Sequence, residues 1–282
     1  MNTDATNHDI SADQAAALLA WYVESGADET IGETPENRFI QSAEGPPPLK
    51  SEAAAETGDY PDPIPPATRP ATAAPTRAIT PGKAAANAAE LANGCNSLEE
   101  LEAAIRAFDG CALRKTAMNT VFADGTPDSG LMFIGEAPGA DEDRQGKPFV
   151  GASGKLLDRM LAAIGRDRTG AYISNILPWR PPGNRKPTPQ ETAICLPFVR
   201  RHIALARPSV LVFLGGTAAA TLLDTTQGIK RLRGRWMDYE DLDAGFAIPV
   251  MPTYHPAYLL RQPVLKGDAW RDFLEIKAKM AS

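Results

Sequence analysis

The hydrophobic positions of the chain fall into four short apolar runs, separated by segments with helical spacing. The runs are unbroken, which is typical of parallel strands buried on both faces. They span residues 131–134, 171–177, 210–215 and 248–252. Between them, apolar residues recur every three or four positions, as in 153–164, which predicts amphipathic helices. The alternation predicts an α/β fold: a three-layer α/β/α sandwich around a central, mainly parallel four-stranded sheet.

Helix-capping signals mark the ends of several of these helices. Ser97 and Glu100 form a capping box within a helical stretch at 84–107, which is broken near the Asn-Gly pair at 93–94. Thr188 is followed by Pro189 and Glu191, the pattern of an N-cap, a first-turn proline and a closing carboxylate. A small-residue helix is expected at 217–223 and a last helix at 268–279.

The N-terminal part of the chain differs in composition from the rest. We expect an acidic segment at 1–44 with a short amphipathic helix near 11–25, a disordered Pro/Ala-rich linker at 45–83, and one folded domain at 84–282. Ten of the chain's 25 prolines lie between residues 45 and 81. The short helix is either a docking peptide for a protein partner or a helix packed on the folded domain, and the sequence leaves both open.

Charge and cysteine content narrow the class of protein. The net charge of −6 hides an uneven distribution: residues 1–85 carry 5 Lys and Arg against 13 Asp and Glu, whereas residues 86–282 carry 24 against 22. The folded domain can therefore present a basic face to a phosphate backbone. No apolar run is long enough for a membrane span, and the N-terminus lacks the pattern of a signal peptide. The three cysteines are too few and too scattered for a disulfide framework, so a reducing cytoplasm is expected. We also expect a monomer.

An unusual loop follows the first apolar run. Residues 135–151 hold four glycines, two prolines, four carboxylates and one aromatic residue, whereas such connections usually have only about 2–6 residues. Two more unusual loops follow the second and fourth runs, at 178–187 and 253–261. Because the carboxyl ends of parallel strands lie at one edge of a sheet, we expect the three loops to meet over one cleft.

The polar residues of these loops suit a flat heterocycle attached to a phosphate backbone. Phe149 offers a stacking face, and Asn175 offers a donor and an acceptor in one plane. His255 near Glu136 and Glu142 suits stabilisation of a leaving anion or orientation of water. Basic residues accompany them: Arg180, Arg185, Lys186, Lys230, Arg231, Arg233, Arg235 and Arg261. The combination describes a nucleobase that is extruded from a strand into a pocket.

Five motifs of the chain resemble those of the family 4 uracil-DNA glycosylases, in order and in spacing, from about Phe108 to the C-terminus. They are Gly-Glu-Ala-Pro-Gly-Ala-Asp-Glu-Asp-Arg-Gln-Gly at 135–146, Lys-Pro-Phe-Val-Gly at 147–151, Ser-Asn-Ile at 174–176, Arg-Pro-Pro-Gly-Asn at 180–184 and His-Pro-Ala-Tyr-Leu-Leu-Arg at 255–261. The resemblance implies a monofunctional enzyme of base-excision repair that hydrolyses the N-glycosidic bond of uracil in DNA. Such an enzyme would work in the cytoplasm, associated with the nucleoid when acting on DNA.

The resemblance also assigns roles to residues. Gly135 and Ala137 line the uracil pocket, Phe149 stacks on the base, and Asn175 reads its Watson–Crick edge. His255 stabilises the charge that develops on a uracil carbonyl. Either Glu136 or Glu142 positions water or supports the sugar cation, and the sequence does not decide between them. The expected DNA contacts are Arg180, Arg185, Lys186, Arg231, Arg233, Tyr258, Leu259, Leu260 and Arg261, with 258–261 as a wedge that enters the duplex.

The chain departs from the family pattern at the iron–sulfur ligands. Family 4 enzymes usually carry a [4Fe–4S] cluster on four cysteines, and the matching positions here are Phe108, Cys111, Trp179 and Cys195. Because a cuboidal cluster needs four thiolates, we expect no cluster and no other cofactor. No histidine lies between Asn175 and the His at 202, so the covalent trapping on DNA of a related group is not expected either.

Two rival functions remain open at this point. The lost cysteines and the long leader suit a catalytically weak DNA-binding relative that acts as a scaffold through its N-terminal extension. An unrelated hydrolase that uses His255 with acidic residues is the other alternative. The sequence leaves open whether single- or double-stranded DNA is preferred, and whether xanthine or hypoxanthine is also removed.

Overall fold

A computed structural model of the chain describes residues 81–241 and 245–281. The acidic segment 1–44, its expected helix near 11–25 and residues 45–80 of the expected linker lie outside the described residues. Within these two described ranges, no helix combines the length and the apolar character needed to cross a bilayer.

The described residues form helices and strands in alternation. The helices are α1 (Pro81–Gly94), α2 (Leu98–Ala107), α3 (Ala140–Gln145), α4 (Ala152–Ala163), α5 (Pro189–Ala206), α6 (Gly216–Leu222), α7 (Ile229–Leu232), α8 (Pro256–Arg261) and α9 (Lys266–Met280). The strands are β1 (Ala123–Gly125), β2 (Leu131–Gly135), β3 (Tyr172–Asn175), β4 (Val210–Leu214), β5 (Met237–Asp241) and β6 (Phe246–Thr253). Short 3₁₀ turns lie at Ala112–Lys115, Pro127–Ser129, Arg168–Gly170, Pro182–Asn184 and Pro263–Leu265.

The strands form one sheet in the order β1-β3-β2-β4-β6-β5. Strands β3, β2, β4 and β6 are parallel, and they correspond to the four apolar runs of the sequence. The expected parallel core of the sheet is confirmed. The count of four strands is corrected to six, because β1 and β5 pair antiparallel with the two outer parallel strands.

Helices cover both faces of the sheet, as alternate residues of β2 demonstrate. Met132 and Ile134 belong to a hydrophobic cluster with residues of α1, α2, α5 and α6. Leu131 and Phe133 belong to a second cluster, with residues of α4 and α9. Successive strand residues point to opposite faces, so each face of β2 has its own layer of helices. The three-layer α/β/α sandwich is thereby confirmed.

The predicted N-caps are present at Ser97 and Thr188. Glu100 N–H donates to Ser97 Oγ at 3.2 Å. The Glu100 carboxylate accepts from Asn96 N–H at 2.6 Å and not from Ser97 N–H, so the capping box predicted at Ser97 is only half formed. At the start of α5, Glu191 N–H donates to Thr188 Oγ1 and Thr188 N–H donates to the Glu191 carboxylate. Helix α1 begins three residues before its expected start at 84. These caps fix the residues at which α2 and α5 begin.

Candidate active site

A cleft of about 470 Å³ opens at the carboxyl edge of the four parallel strands. The register brings Gly135 of β2 beside Asn175 of β3, and Leu214 of β4 beside Thr253 of β6. The three unusual loops leave the sheet at this edge and meet there. Ten of the predicted site residues line the cleft: Glu136, Ala137, Glu142, Phe149, Asn175, Arg185, Lys186, His255, Tyr258 and Arg261.

An unpaired amide oxygen lies at the floor of the cleft. Asn175 is only 6% exposed, and its Oδ1 is the buried side-chain atom in the described part of the chain that has no hydrogen-bond partner. A buried acceptor without a partner lowers the stability of the folded protein unless a ligand or water donates a hydrogen bond to it. The position of Asn175 therefore points to a ligand with an N–H group.

Gly135 allows the ring of Phe149 to lie against this amide. A Cβ atom at position 135 would lie 2.5 Å from Asn175 Oδ1 and 2.7 Å from Phe149 Cζ, distances that real Cβ atoms do not adopt. Gly135 itself does not line the cleft but lies beneath it. The missing side chain thus lets an aromatic face and a planar amide share one small pocket.

His255 lines the cleft beside Phe149. Its ring centroid lies 5.5 Å from that of Phe149, with 31° between the ring planes. His255 caps α8, because its Nδ1 accepts the N–H of Ala257 at 3.1 Å. Burial, with a smaller contribution from the charge of Arg261, lowers the pKa of His255 to about 4. The ring is therefore neutral near pH 7 and carries its proton on Nε2, where it can donate a hydrogen bond.

The two candidate carboxylates have different environments. Glu142 is 9% exposed and accepts three backbone N–H groups, from Gly139 at 3.1 Å and from Val150 and Gly151 at 2.9 and 2.8 Å. Its carboxylate therefore closes the loop between β2 and α4. Glu136 is partly exposed in the cleft, and its carboxylate has no hydrogen bond or ion pair within the described ranges. This difference favours Glu136 as the carboxylate available to a substrate.

The expected DNA-contacting residues divide into three groups. Arg185, Lys186, Tyr258 and Arg261 line the cleft, while Arg180, Arg231 and Leu260 lie outside its walls with at least part of their surface accessible. Arg233 and Leu259 are the exceptions. Arg233 forms an ion pair with the buried Asp272, and Leu259 is 1% exposed. Both side chains are directed inward and support the fold of the C-terminal part, which is the physical reason against the DNA contacts expected of these two residues.

Several residues of the cleft were not identified from the sequence. Gly215 and Gly216 follow β4 and line the cleft, as does Ser153 in the first turn of α4. The rule that loops after parallel strands form the site applies equally to the third apolar run. Its short Gly-Gly connection lacks polar side chains, which is why the pattern did not single it out.

The four positions that the family uses for an iron–sulfur cluster are buried and packed together here. Phe108 stacks on Trp179 with 6.4 Å between centroids and meets Phe198 edge-on at 5.1 Å. A hydrogen bond between the thiols of Cys111 and Cys195, together with burial, raises the pKa of Cys195. In the described ranges, no three His, Cys, Asp or Glu side chains are grouped as metal ligands. Two thiols among packed aromatic rings do not fit a four-thiolate cluster.

Comparisons with known proteins agree with the motifs. The model of the uracil DNA glycosylase superfamily matches residues 122–275. A type-4 uracil-DNA glycosylase of Archaeoglobus fulgidus is 41% identical over 186 residues, which cover 64% of this chain and 92% of that protein. The enzyme of the same name from Pyrobaculum aerophilum is 36% identical over 179 residues, covering 62% and 90%, and that of Thermotoga maritima is 38% identical over 165 residues, covering 58% and 83%. All cleft-lining residues lie within the matched range.

Proposed function

Because the chain belongs to the uracil DNA glycosylase superfamily, we propose that it hydrolyses the N-glycosidic bond of deoxyuridine in DNA. The products are free uracil and an abasic site, the substrate of later steps in base-excision repair. The type-4 uracil-DNA glycosylases that resemble the chain over most of their length support this activity.

The observation that carries the proposal is the unpaired Oδ1 of Asn175 beside the ring of Phe149. Uracil presents an N–H group between two carbonyl oxygens. The amide of Asn175 can accept from that N–H and donate to a neighbouring carbonyl, while Phe149 covers one face of the base. Cytosine lacks the N–H at this position and would leave Oδ1 unpaired, so Asn175 discriminates against cytosine.

The polar and charged groups of the cleft can stabilise the charges that develop as the N-glycosidic bond breaks. Departure of the base leaves its electron pair on uracil and positive charge on the sugar. The Nε2–H of His255 donates to the uracil carbonyl on which negative charge develops. Water forms the new bond to the sugar carbon, and Glu136 accepts its proton while stabilising the sugar cation. Glu142 contributes indirectly, because its carboxylate holds the loop that carries Phe149.

The base reaches this pocket only after it leaves the helical stack, since stacked bases are inaccessible. The rim of the cleft is basic, with Lys186 and Arg261 exposed to phosphates. Tyr258 and Leu260 of α8 lie beside this rim, and we propose that they occupy the space left in the strand.

We also propose that the enzyme folds and acts without an iron–sulfur cluster, which the packing of Phe108 on Trp179 supports.

A panel of oligonucleotides tests the proposal. Each carries one uracil, cytosine, thymine, hypoxanthine or xanthine, in single- and double-stranded form, and free base is quantified by mass spectrometry. We expect release of uracil, and a loss of about 100-fold or more in Asn175→Asp, because a carboxylate has no N–H group to donate to the uracil carbonyl. Salt-dependent binding of DNA without release of any base by the folded protein would refute the activity and favour the scaffold function.

A further inference from the structure

The backbone of Phe149 has a conformation that needs external support. Its φ angle is +54°, in the left-handed region that non-glycine residues rarely adopt. The carbonyl oxygen of Phe149 faces the start of α4, and a Cβ atom at position 154 would lie 1.7 Å from it. Only a glycine at 154 permits this contact. The direction of the Phe149 ring therefore depends on contacts that hold its own carbonyl group in place.

Arg168 supplies those contacts from the turn before β3. Its Nη1 donates to the carbonyl of Pro148 at 3.1 Å, and its Nη2 donates to the carbonyl of Phe149. The guanidinium thus binds two successive carbonyls of the loop. The Arg168 side chain itself does not line the cleft.

Two carboxylates hold the guanidinium of Arg168. Its Nε donates to Asp158 of α4 at 2.8 Å, and its Nη1 donates to Asp124 of β1 at 2.7 Å. The side chain is 24% exposed and Asp124 is 21% exposed, so these ion pairs are partly shielded from solvent. A planar group with five donors can bind two carboxylates and two carbonyls together, whereas a lysine ammonium has three donors and no plane.

We propose that Arg168 is a positioning residue for base excision, which fixes the backbone of Phe149 so that its ring stays beside Asn175 and His255. This inference rests on the proposed function, because the ring matters only if a base stacks on it. Arg168 acts through Phe149 and has no contact with the base. Its removal therefore affects turnover only as long as the aromatic ring is present.

A double-mutant cycle separates this role from a general effect on folding. Arg168→Lys is measured alone and in the Phe149→Ala background, with kcat/KM for uracil release as the readout. We expect a loss of about 10- to 100-fold in the wild-type background and less than about 2-fold in the Phe149→Ala background. Arg166→Lys is the matched control, because Arg166 lies two residues away and its guanidinium donates to the carbonyl of Gly170 and not to the loop at 147–151. It is expected to keep wild-type turnover.

Asp158→Asn provides a milder variant if Arg168→Lys does not fold. Asp158 is 45% exposed and supports only one nitrogen of Arg168, so a smaller loss with the same dependence on Phe149 is expected. Hydrogen–deuterium exchange of residues 147–151 gives a readout independent of activity. It should be faster in Arg168→Lys and unchanged in Arg166→Lys.

The outcomes distinguish the two proposals. A wild-type protein that releases no uracil defeats the proposed function, and the exchange measurement then decides alone whether Arg168 holds the loop. If the wild-type protein is active and Arg168→Lys lowers kcat/KM by the same factor in both backgrounds, the positioning role is overturned. Unchanged exchange at residues 147–151 in Arg168→Lys would overturn it as well.

Discussion

The imidazole of His255 lies 5.5 Å from the phenyl ring of Phe149, although 106 positions separate the two residues in the chain. The first follows β6 and the second lies between β2 and α4. Asn175, at the end of β3, completes the group, because Gly135 brings its Oδ1 close to the Phe149 ring. Three loops that leave one sheet edge thus form a pocket with an aromatic face, a planar amide and a neutral donor.

The protonation state of His255 gives the first prediction. Its Nδ1 accepts a backbone N–H, and burial lowers the pKa to about 4 from an ordinary value of 6.5. The ring should therefore stay neutral, with the proton on Nε2, as the pH falls from 8 to about 5. Activity should show no inflection near 6.5 from this group, and should be lost only as the pH approaches 4, when a proton on Nδ1 would oppose the Ala257 N–H.

Nitrogen-15 NMR of the labelled imidazole measures this directly. We expect an unprotonated Nδ1 and a protonated Nε2 at pH 6. A ring that titrates near pH 6.5, or one with its proton on Nδ1, would contradict the assignment of His255 as a neutral donor.

Gly135→Ala tests the close approach beneath the pocket. The new methyl group would overlap both Asn175 Oδ1 and the Phe149 ring, so one of the two must move. We expect kcat/KM for uracil release to fall by about 100-fold, since a displacement of about 1 Å at a site can have that effect. Gly267→Ala is the control, because a Cβ atom there meets nothing within 4 Å and Gly267 lies in α9, away from the cleft. Equal activity of the two variants would contradict the close packing of Asn175 and Phe149 over Gly135.

The basic rim predicts a difference between two neighbouring cations. Arg185 forms an ion pair with Glu191 at 2.6 Å, whereas Lys186 has no ion pair in the part of the chain that the structure describes. Lys186→Ala should therefore weaken DNA binding and reduce the slope of log K against log salt concentration by about one. Lys277→Ala, on α9 and outside the cleft, should leave the slope unchanged. An unchanged slope in Lys186→Ala would exclude this residue as a phosphate contact.

The packing around Trp179 predicts a stability that does not depend on iron. Trp179 is 1% exposed, stacks on Phe108 and donates from Nε1 to Thr120 at 3.0 Å. Trp179→Ala should lower the free energy of unfolding by about 3–5 kcal/mol in denaturant titrations. Trp270→Ala is the control, since that ring is 42% exposed and its loss should cost less than about 1 kcal/mol.

Iron and sulfide analysis completes this test. The purified protein is expected to hold neither, and a chelator should leave the unfolding midpoint unchanged. Stoichiometric iron and sulfide, with absorbance in the visible range, would overturn the cluster-free proposal.

The parallel core and the location of the cleft follow from the sequence because both depend on simple patterns. Unbroken apolar runs identify strands that are buried on both faces, and the parallel arrangement places their following loops together. The edge strands escaped this pattern. Strand β1 has only three residues, and β5 places the exposed Asp238 and Glu240 on either side of the buried Tyr239, so neither strand contains an unbroken apolar run.

Side-chain direction could not be read from the motifs either. Leu259 belongs to the segment expected to enter DNA, but one turn of α8 directs it inward while Leu260 stays 38% exposed. Arg233 belongs to a basic cluster, but a buried carboxylate 39 residues later in sequence binds it. The Glu142 carboxylate and the Arg168 guanidinium bind backbone groups of the loop at 147–151, and only the folded loop brings those groups within reach.

A crystal structure with bound uracil is the strongest test of the proposed pocket. We expect a uracil ring parallel to Phe149, with its N–H within hydrogen-bond distance of Asn175 Oδ1 and a carbonyl oxygen facing His255 Nε2. Density for uracil outside the cleft, or a cleft that stays empty of uracil at saturating concentration while Asn175 Oδ1 binds another protein group, would contradict it.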